Sequence, residues 1–375
     1  MLQHKYNTSI EKSNKFQKNQ AAAFFRISNE DDLYSLDRLI QAHSEIVILD
    51  EIESQLKDLI KLRNPSVKLT ESELTDLVQV HVGDKNIDEY GVWVYYPWCN
   101  KLVHILDEEE FIEVRTNRNK NKITKEEQAL LATKKVGVIG LSVGQSVSAT
   151  MAMERCFGEI RLADFDTLDL TNCNRIRTPV YNIGLSKVVI TAREIAEIDP
   201  YLKVICFFEG LTEDNMDDFM NQGGKLDMIV EECDSVEIKV MTRVKAKQYS
   251  IPVVMEMSDR CMIDVERYDL EPDLKMFQGK LEHLDLSNLK NLSPEQRMMY
   301  MYPMVSGENV SNRLKESVGE LGKTLSAWPQ LASAVVLGGG ASTDVVRRIL
   351  LNQTQVSGRF YFDIEQLIVN KDLAK

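Results

Sequence analysis

The sequence predicts a doubly wound α/β domain built on a parallel sheet, preceded by a smaller α+β domain. From Lys135 onward, short apolar runs alternate with helical stretches, as successive βαβ units require. A glycine-bearing turn follows the first of those runs. Before residue 110 the periodicity is instead helical and ends in a single β-hairpin.

Residues 1–20 are polar and basic and read as a loosely held start. From residue 29 to about 83, apolar positions recur at three and four residues (Leu33, Leu36, Leu39, Ile40). Thr70 and Glu73 form a capping box, so the stretch reads as a helical lobe. Segments 91–96 (GVWVYY) and 101–106 (KLVHIL) flank the turn PWCN, and their β-branched and aromatic content predicts a hairpin. These elements make a first domain of residues 1–110. The next segment, 115–122 (RTNRNKNK), has Arg115, Arg118, Lys120 and Lys122 and no apolar side chain, which on composition reads as a solvated linker or arm.

The second domain, residues 111–375, opens with a helix started by Thr124 and Glu127 and ending before Lys134. Strands are expected at 136–139, 159–163, 204–208, 228–230 and 251–255, with helices at 144–157 and 236–248 among them. A Met- and Asn-rich crossover insertion at about 270–326 breaks the rhythm. Its cluster of Met298, Met299, Tyr300, Met301, Tyr302 and Met304 reads as a lid or an interface core. A helix-rich return over 328–351 contains Gly338 to Gly340, a close-packing or hinge site without the ending of a P-loop. A last strand is expected at 358–364.

Composition bounds the function. Of 375 residues, 45 are Lys or Arg and 58 Asp or Glu, a formal charge of −13 that disfavours nucleic acid and anionic membranes as partners. No apolar run reaches the ~20 residues of a membrane span, and the N-terminus lacks a signal-peptide core, so a soluble, cytoplasmic protein is expected. The six cysteines are dispersed without a C-x-x-C pair, which argues against zinc and against a disulfide framework.

The turn at 137–144 (GVIGLSVG) places Gly140, Ser142 and Gly144 where a backbone approaches a phosphate and a helix N-terminus supplies free N–H groups. Asp164 ends the next strand, where ribose hydroxyls lie in a Rossmann-like sheet. That much suits NAD as well as ATP.

The segments that follow are more specific. They are DFDTLDLTNCNR at 164–175, GLSK at 184–187 and EECD at 231–234. In this order after a glycine turn they resemble the ThiF/MoeB/HesA family, the bacterial relatives of ubiquitin-activating enzymes. The resemblance implies a carboxylate attacking the α-phosphate of ATP to give an acyl adenylate and pyrophosphate. It implies that Asp164 and Asp166 lie at the nucleotide, that Asn172 and Arg175 hold the polyphosphate, that Lys187 serves the reacting centre and that Asp234 holds Mg²⁺. It further implies a homodimer in which Arg118, the second arginine of the R-x-x-R pair begun by Arg115, reaches the partner's nucleotide. The substrate so implied is the C-terminus of a small protein or peptide.

This chain departs from the family pattern in four ways. The glycine loop is one residue short, with Ser142 in place of a glycine; Glu231 stands for the first acid of D-x-x-D; Ile176 follows Arg175; and the C-x-x-C zinc pairs are missing. No cysteine follows Cys261, which reads as an ordinary strand residue, so nothing supports a thioester step. Each site residue also has a plain structural reading. Asp164 could cap a strand end and Asp234 could be the N-cap of the helix at 236–248. Competing functions are an NAD-dependent oxidoreductase, which leaves Arg175, Lys187 and Asp234 unexplained, and a nucleotide-binding scaffold without catalysis.

Overall fold

Parallel strands buried on both faces read as near-continuous apolar runs, and helices must cover them. The computed structural model, which describes residues 19–286 and 289–368, has this arrangement in the larger of two units. The polar start at residues 1–18 lies outside the described residues.

The first unit comprises residues 19–126 with Asp199–Tyr201. It contains β1 (Ala23–Phe25), α1 (Glu30–Ala42), β2 (Val47–Asp50), α2 (Ile52–Arg63), α3 (Glu71–Val82), β3 (Val92–Tyr96), β4 (Lys101–Ile105) and α4 (Glu108–Arg115). The expected hairpin is β3–β4, extended to a four-stranded sheet of order β1-β3-β4-β2. The helical reading of 29–83 is corrected here, because Val47–Asp50 is a strand that pairs in parallel with β4. A four-residue strand is too short to set up a period of its own against the helices around it. The capping box of Thr70 and Glu73 is present at the start of α3. The basic segment is not an open arm at its start. Arg115 is the last residue of α4 and pairs at 3.6 Å with Asp199, while Arg118 lies in a 3₁₀ turn at Asn117–Asn119.

Helix α5 (Lys125–Leu131) leads into the second unit. Its strands are β5 (Lys135–Ile139), β6 (Glu159–Ala163), β7 (Lys203–Phe207), β8 (Met228–Glu231), β9 (Val253–Met257), β10 (Met262–Glu266) and β11 (Gly358–Tyr361). Its helices are α6 (Gly144–Glu154), α7 (Lys187–Ile198), α8 (Met216–Asn221), α9 (Val236–Tyr249), α10 (Pro294–Met304), α11 (Asn312–Val318), α12 (Ala332–Leu350) and α13 (Ile364–Leu367). The sheet order is β11-β10-β9-β8-β5-β6-β7. The five strands from β7 to β9 are parallel, and β10 and β11 extend the sheet antiparallel.

This is the doubly wound α/β sheet expected from the alternation. The order reverses at β5, where the chain leaves for β6 on one side and returns to β8 on the other. A crevice opens at such a switch point, beyond the carboxyl ends of the strands. Cys261 is corrected from a strand residue to a turn. It has φ +43° beside Arg260 at φ +58°, and together they reverse the chain between β9 and β10. The glycines of α12 serve close packing: a Cβ at Gly338 would lie 2.3 Å from the Glu256 carboxyl, and one at Gly339 2.3 Å from Ser146 Oγ of α6.

Candidate functional site

A cavity of about 550 Å³ lies at the switch point, within the usual ~300–1,000 Å³ of small-molecule sites. Its floor is the turn after β5. Gly140 has φ +83°, and a Cβ on it would come within 2.8 Å of the backbone of Glu232 and Cys233, so only glycine lets the β5 and β8 ends meet. Helix α6 starts at Gly144 with no side chain capping its first N–H groups. Gly144 itself does not line the cavity. A Cβ there would sit 2.8 Å from Val138, so this glycine lets the helix pack on its strand.

Asp164, at the end of β6, fastens that turn. Its carboxylate accepts the Leu141 N–H at 2.6 Å and the Asp166 N–H at 2.7 Å. Burial raises its pKa, while those two N–H groups and the Lys187 ammonium oppose the rise. Each oxygen accepts one of these bonds and retains capacity for a second, and Asp164 lines the cavity. The plain reading of Asp164 and the ligand reading are therefore compatible.

The cations arrive next. Lys187 begins α7 and donates to Asp166 at 2.8 Å, an almost fully buried ammonium against a half-exposed carboxylate. Arg175 donates from Nε to Ser142 Oγ at 3.0 Å and from Nη1 to Asn174 Oδ1 at 3.0 Å. Burial lowers the Arg175 pKa, and the charge of Asp234 partly restores it. Asn172 accepts the Asp169 N–H at 3.0 Å, which holds the 3₁₀ turn at Leu170–Asn172 against the cavity.

Asp234 is not the cap of α9. Ser235 takes that role, its hydroxyl accepting the Ile238 N–H at 3.3 Å. Among the described residues, the exposed Asp234 carboxylate makes no hydrogen bond or ion pair and lines the cavity. The acid three residues earlier differs. Glu231 is fully buried beneath the cavity, bonded to Lys239 at 3.0 Å and to Arg243 at 2.8 Å. Burial pulls its pKa up, but the two cations outweigh burial and leave it below the usual carboxylate range.

Gly140, Ser142, Asp164, Asp166, Asn172, Arg175, Lys187 and Asp234 thus meet around one cavity. Arg118 belongs to the other unit. Against this geometry, residues 116–361 match the ThiF family.

The chain belongs to the ThiF family. It is 37% identical to the uncharacterized protein MT1398 of Mycobacterium tuberculosis, over 88% of this chain and 45% of that protein, so it spans less than half of that relative's length. It is 22% identical to the tRNA threonylcarbamoyladenosine dehydratase of Bacillus subtilis, over 64% of this chain and 97% of that one. Among solved structures, the Escherichia coli tRNA threonylcarbamoyladenosine dehydratase in complex with ATP superposes with a TM-score of 0.48 at 16% identity, covering 66% of this chain and 97% of the other. The expectation that nucleic acid is no partner finds no support among these relatives, one of which is named for tRNA.

Further residues at the cavity were not singled out by sequence. Phe165, 74% exposed, stands between the two acids of the DFD segment. Glu232 and Cys233 fill the interior positions of EECD, and Arg297 comes from α10 of the insertion. Burial drives the Cys233 thiol well above its ordinary pKa, with Glu231 adding to the effect, and burial pushes Cys261 up to about 12. Neither thiol has the electropositive setting that makes a nucleophile. Among the described residues, no helix is long and apolar enough to cross a membrane.

Proposed function

We propose that this chain is an ATP-dependent adenylyltransferase that activates a carboxylate, the C-terminus of a small protein or peptide, with release of pyrophosphate. One observation carries the reading. One cavity is lined by the glycine turn at Gly140 and Ser142, the acids Asp164 and Asp166, the cations Arg175 and Lys187, and Asp234, a carboxylate without a hydrogen bond or ion pair among the described residues. A hydride-transfer enzyme needs the first two of these and has no use for the rest.

In this reading a substrate carboxylate oxygen attacks the α-phosphorus of ATP. The new O–P bond forms as the bond to the β-phosphate bridging oxygen breaks, and the electron pair leaves with pyrophosphate. Both reactants are anions, so cationic neutralisation dominates the barrier. Arg175, steadied by Ser142, faces the phosphates. Lys187 is held in place by Asp166 until phosphate oxygens compete for it. The free N–H groups at the start of α6 add a fixed positive potential.

Asp234 also fits Mg²⁺. Among the described residues no set of three or more His, Cys, Asp or Glu could hold a metal alone, but Mg²⁺ commonly takes one carboxylate plus phosphate oxygens and waters. When bound it would supply charge neutralisation at the leaving pyrophosphate. Arg118 acts in trans from a second copy in a homodimer, where a guanidinium can stabilise transferring charge strongly.

ATP–pyrophosphate exchange tests the reading, run with peptide C-termini, small proteins with Gly-rich tails and a carboxylate-bearing tRNA as substrates. Exchange that depends on one of these supports adenylation. ATP binding without exchange across the whole panel favours the scaffold, and binding of NAD in preference to ATP overturns the proposal. For Arg118, mixing Arg118→Ala with Asp234→Asn subunits restores part of the activity in heterodimers; no recovery in verified heterodimers refutes sharing.

A further inference from the structure

Most charges lining the cavity already have partners. Lys187 is paired with Asp166, Arg175 with Ser142 and Asn174, and Asp164 with two backbone N–H groups. Two charged side chains, Asp234 and Arg297, have no hydrogen bond or ion pair among the described residues. Asp234 is explained by a cation in the proposed reaction. Arg297 is not used by it at all.

Arg297 is not a chance surface residue. Helix α10 is fixed at its start by a reciprocal box, the Ser293 hydroxyl accepting the Gln296 N–H while the Gln296 side chain accepts the Ser293 N–H, with Pro294 in the first turn. Its other end is anchored by Tyr300 and Met304, which are buried in one cluster with Val236 and Val240 of α9. Tyr300 also donates to the Asp285 carbonyl at 2.6 Å. Positions 297, 300 and 304 share one helical stripe, at spacings of about three and four residues. Arg297 therefore extends the stripe that packs on α9 and emerges where that stripe opens into the cavity, beside the first turn of α9. An exposed guanidinium on a capped helix, lining a polar cavity and bonded to none of its carboxylates, is a docking group for an oxyanion.

Resting on the adenylation reading, we infer that Arg297 docks an oxyanion of the reactants from the crossover insertion that lines the cavity. The oxyanion is either the β,γ-phosphate tail of ATP or the carboxylate to be activated. Both are planar or tetrahedral acceptors that a guanidinium fork meets with two N–H bonds.

The test measures calorimetric affinities of the full chain for ATP and AMP with Mg²⁺, and the carboxylate KM in pyrophosphate exchange, for wild type, Arg297→Ala and Arg297→Lys. If the phosphate tail is the ligand, Arg297→Ala weakens ATP about tenfold or more and leaves AMP unchanged. If the carboxylate is the ligand, both nucleotides bind as before and the KM rises by a similar factor. In either case Arg297→Lys recovers part of the loss, since it returns the charge without the fork. Equal weakening of ATP and AMP means a reshaped cavity and overturns the inference. So does a variant with unchanged ATP affinity and unchanged KM, or with unchanged ATP affinity in a chain that shows no exchange. Selective loss of ATP affinity in a chain without exchange keeps the inference and sinks the adenylation reading, so the two failures are distinct.

Discussion

Glu231 ends β8 and Asp234 follows three residues later in the loop before α9, and the protein treats their charges in opposite ways. Below the strand end, Glu231 joins a network in which each charge is matched. Lys239 and Arg243 bond to it, Arg243 also bonds to Glu266 at 2.6 Å and lies 3.7 Å from the centre of the Phe277 ring, and Glu266 takes the Tyr268 hydroxyl and the Phe277 N–H. Above it, Asp234 and Arg297 are left unmatched at the cavity. A buried charge is tolerated only when paired, whereas a charge meant for a ligand has to wait for one. The lower region ties β8 to α9, β10 and the insertion; the upper region is free to bind. A shared motif position therefore does not imply a shared role.

The largest way to break this contrast is to unmatch the lower network. Arg243→Met strips both Glu231 and Glu266 of a cation while keeping the volume, and a loss of ~3–5 kcal/mol is expected. Thermal unfolding should drop by roughly 10 °C. A variant that melts like wild type would show that the network contributes nothing to the fold. The corresponding change above the strand is Asp234→Asn. With Ser235 still capping α9, its melting point should stay within ~1 °C while exchange falls about 10²–10³-fold, the size of losing one charge-stabilising group. Loss of several degrees instead would make Asp234 a structural residue and dissolve the comparison.

Glu256 lies between the two regimes. It is buried, its oxygens have no hydrogen-bond partner, and its N–H donates at 3.0 Å to the neighbouring Glu232 carboxylate. Burial pushes its pKa from 4.5 to about 8. Between those values the folded state holds a proton that the unfolded state has lost, so this group's contribution falls as pH rises through that window. Glu256→Gln should raise the melting point by ~2–5 °C at pH 8 and leave it unchanged at pH 4.5. Melting curves with parallel pH dependence in both proteins would show that Glu256 is ionised throughout.

The upper region was largely legible in the sequence because its residues sit at strand ends and helix starts of local βαβ units. The alternation of apolar runs gave β5, β6, β8 and β9, and the order of DFD, Asn172, Arg175, Lys187 and EECD gave the cavity. The lower region was not. Glu231 is matched by Lys239 and Arg243, about one and two turns into α9, and Arg243 is shared with Glu266 of β10, and no spacing rule announces such a set. Arg297 is brought in by packing of Tyr300 and Met304 across an insertion, so its place depends on tertiary contacts. Ser235 and Asp234 are both good caps by composition, and only the observed bond to Ile238 decides between them. β2 and the Arg260–Cys261 turn were missed for the reverse reason, being too short for a period.

The smallest effect expected concerns Ser142, the residue that replaces a glycine in the turn. Ser142 is not among the positive-φ positions, so the backbone does not demand glycine there. The hydroxyl instead receives the Arg175 Nε–H at 3.0 Å and so aims the guanidinium across the cavity. Ser142→Gly would release Arg175 without altering the turn. One such hydrogen bond is worth ~0.5–1.5 kcal/mol, so ATP affinity should weaken by about two- to tenfold with no change in melting point. If affinity improves instead, the serine crowds the phosphates, and the shortened loop is then a weakened nucleotide site. If affinity collapses a hundredfold or more, Ser142 contacts the nucleotide itself, and the division between a region that pairs its charges and one that saves them for a ligand would have to include this hydroxyl on the ligand side.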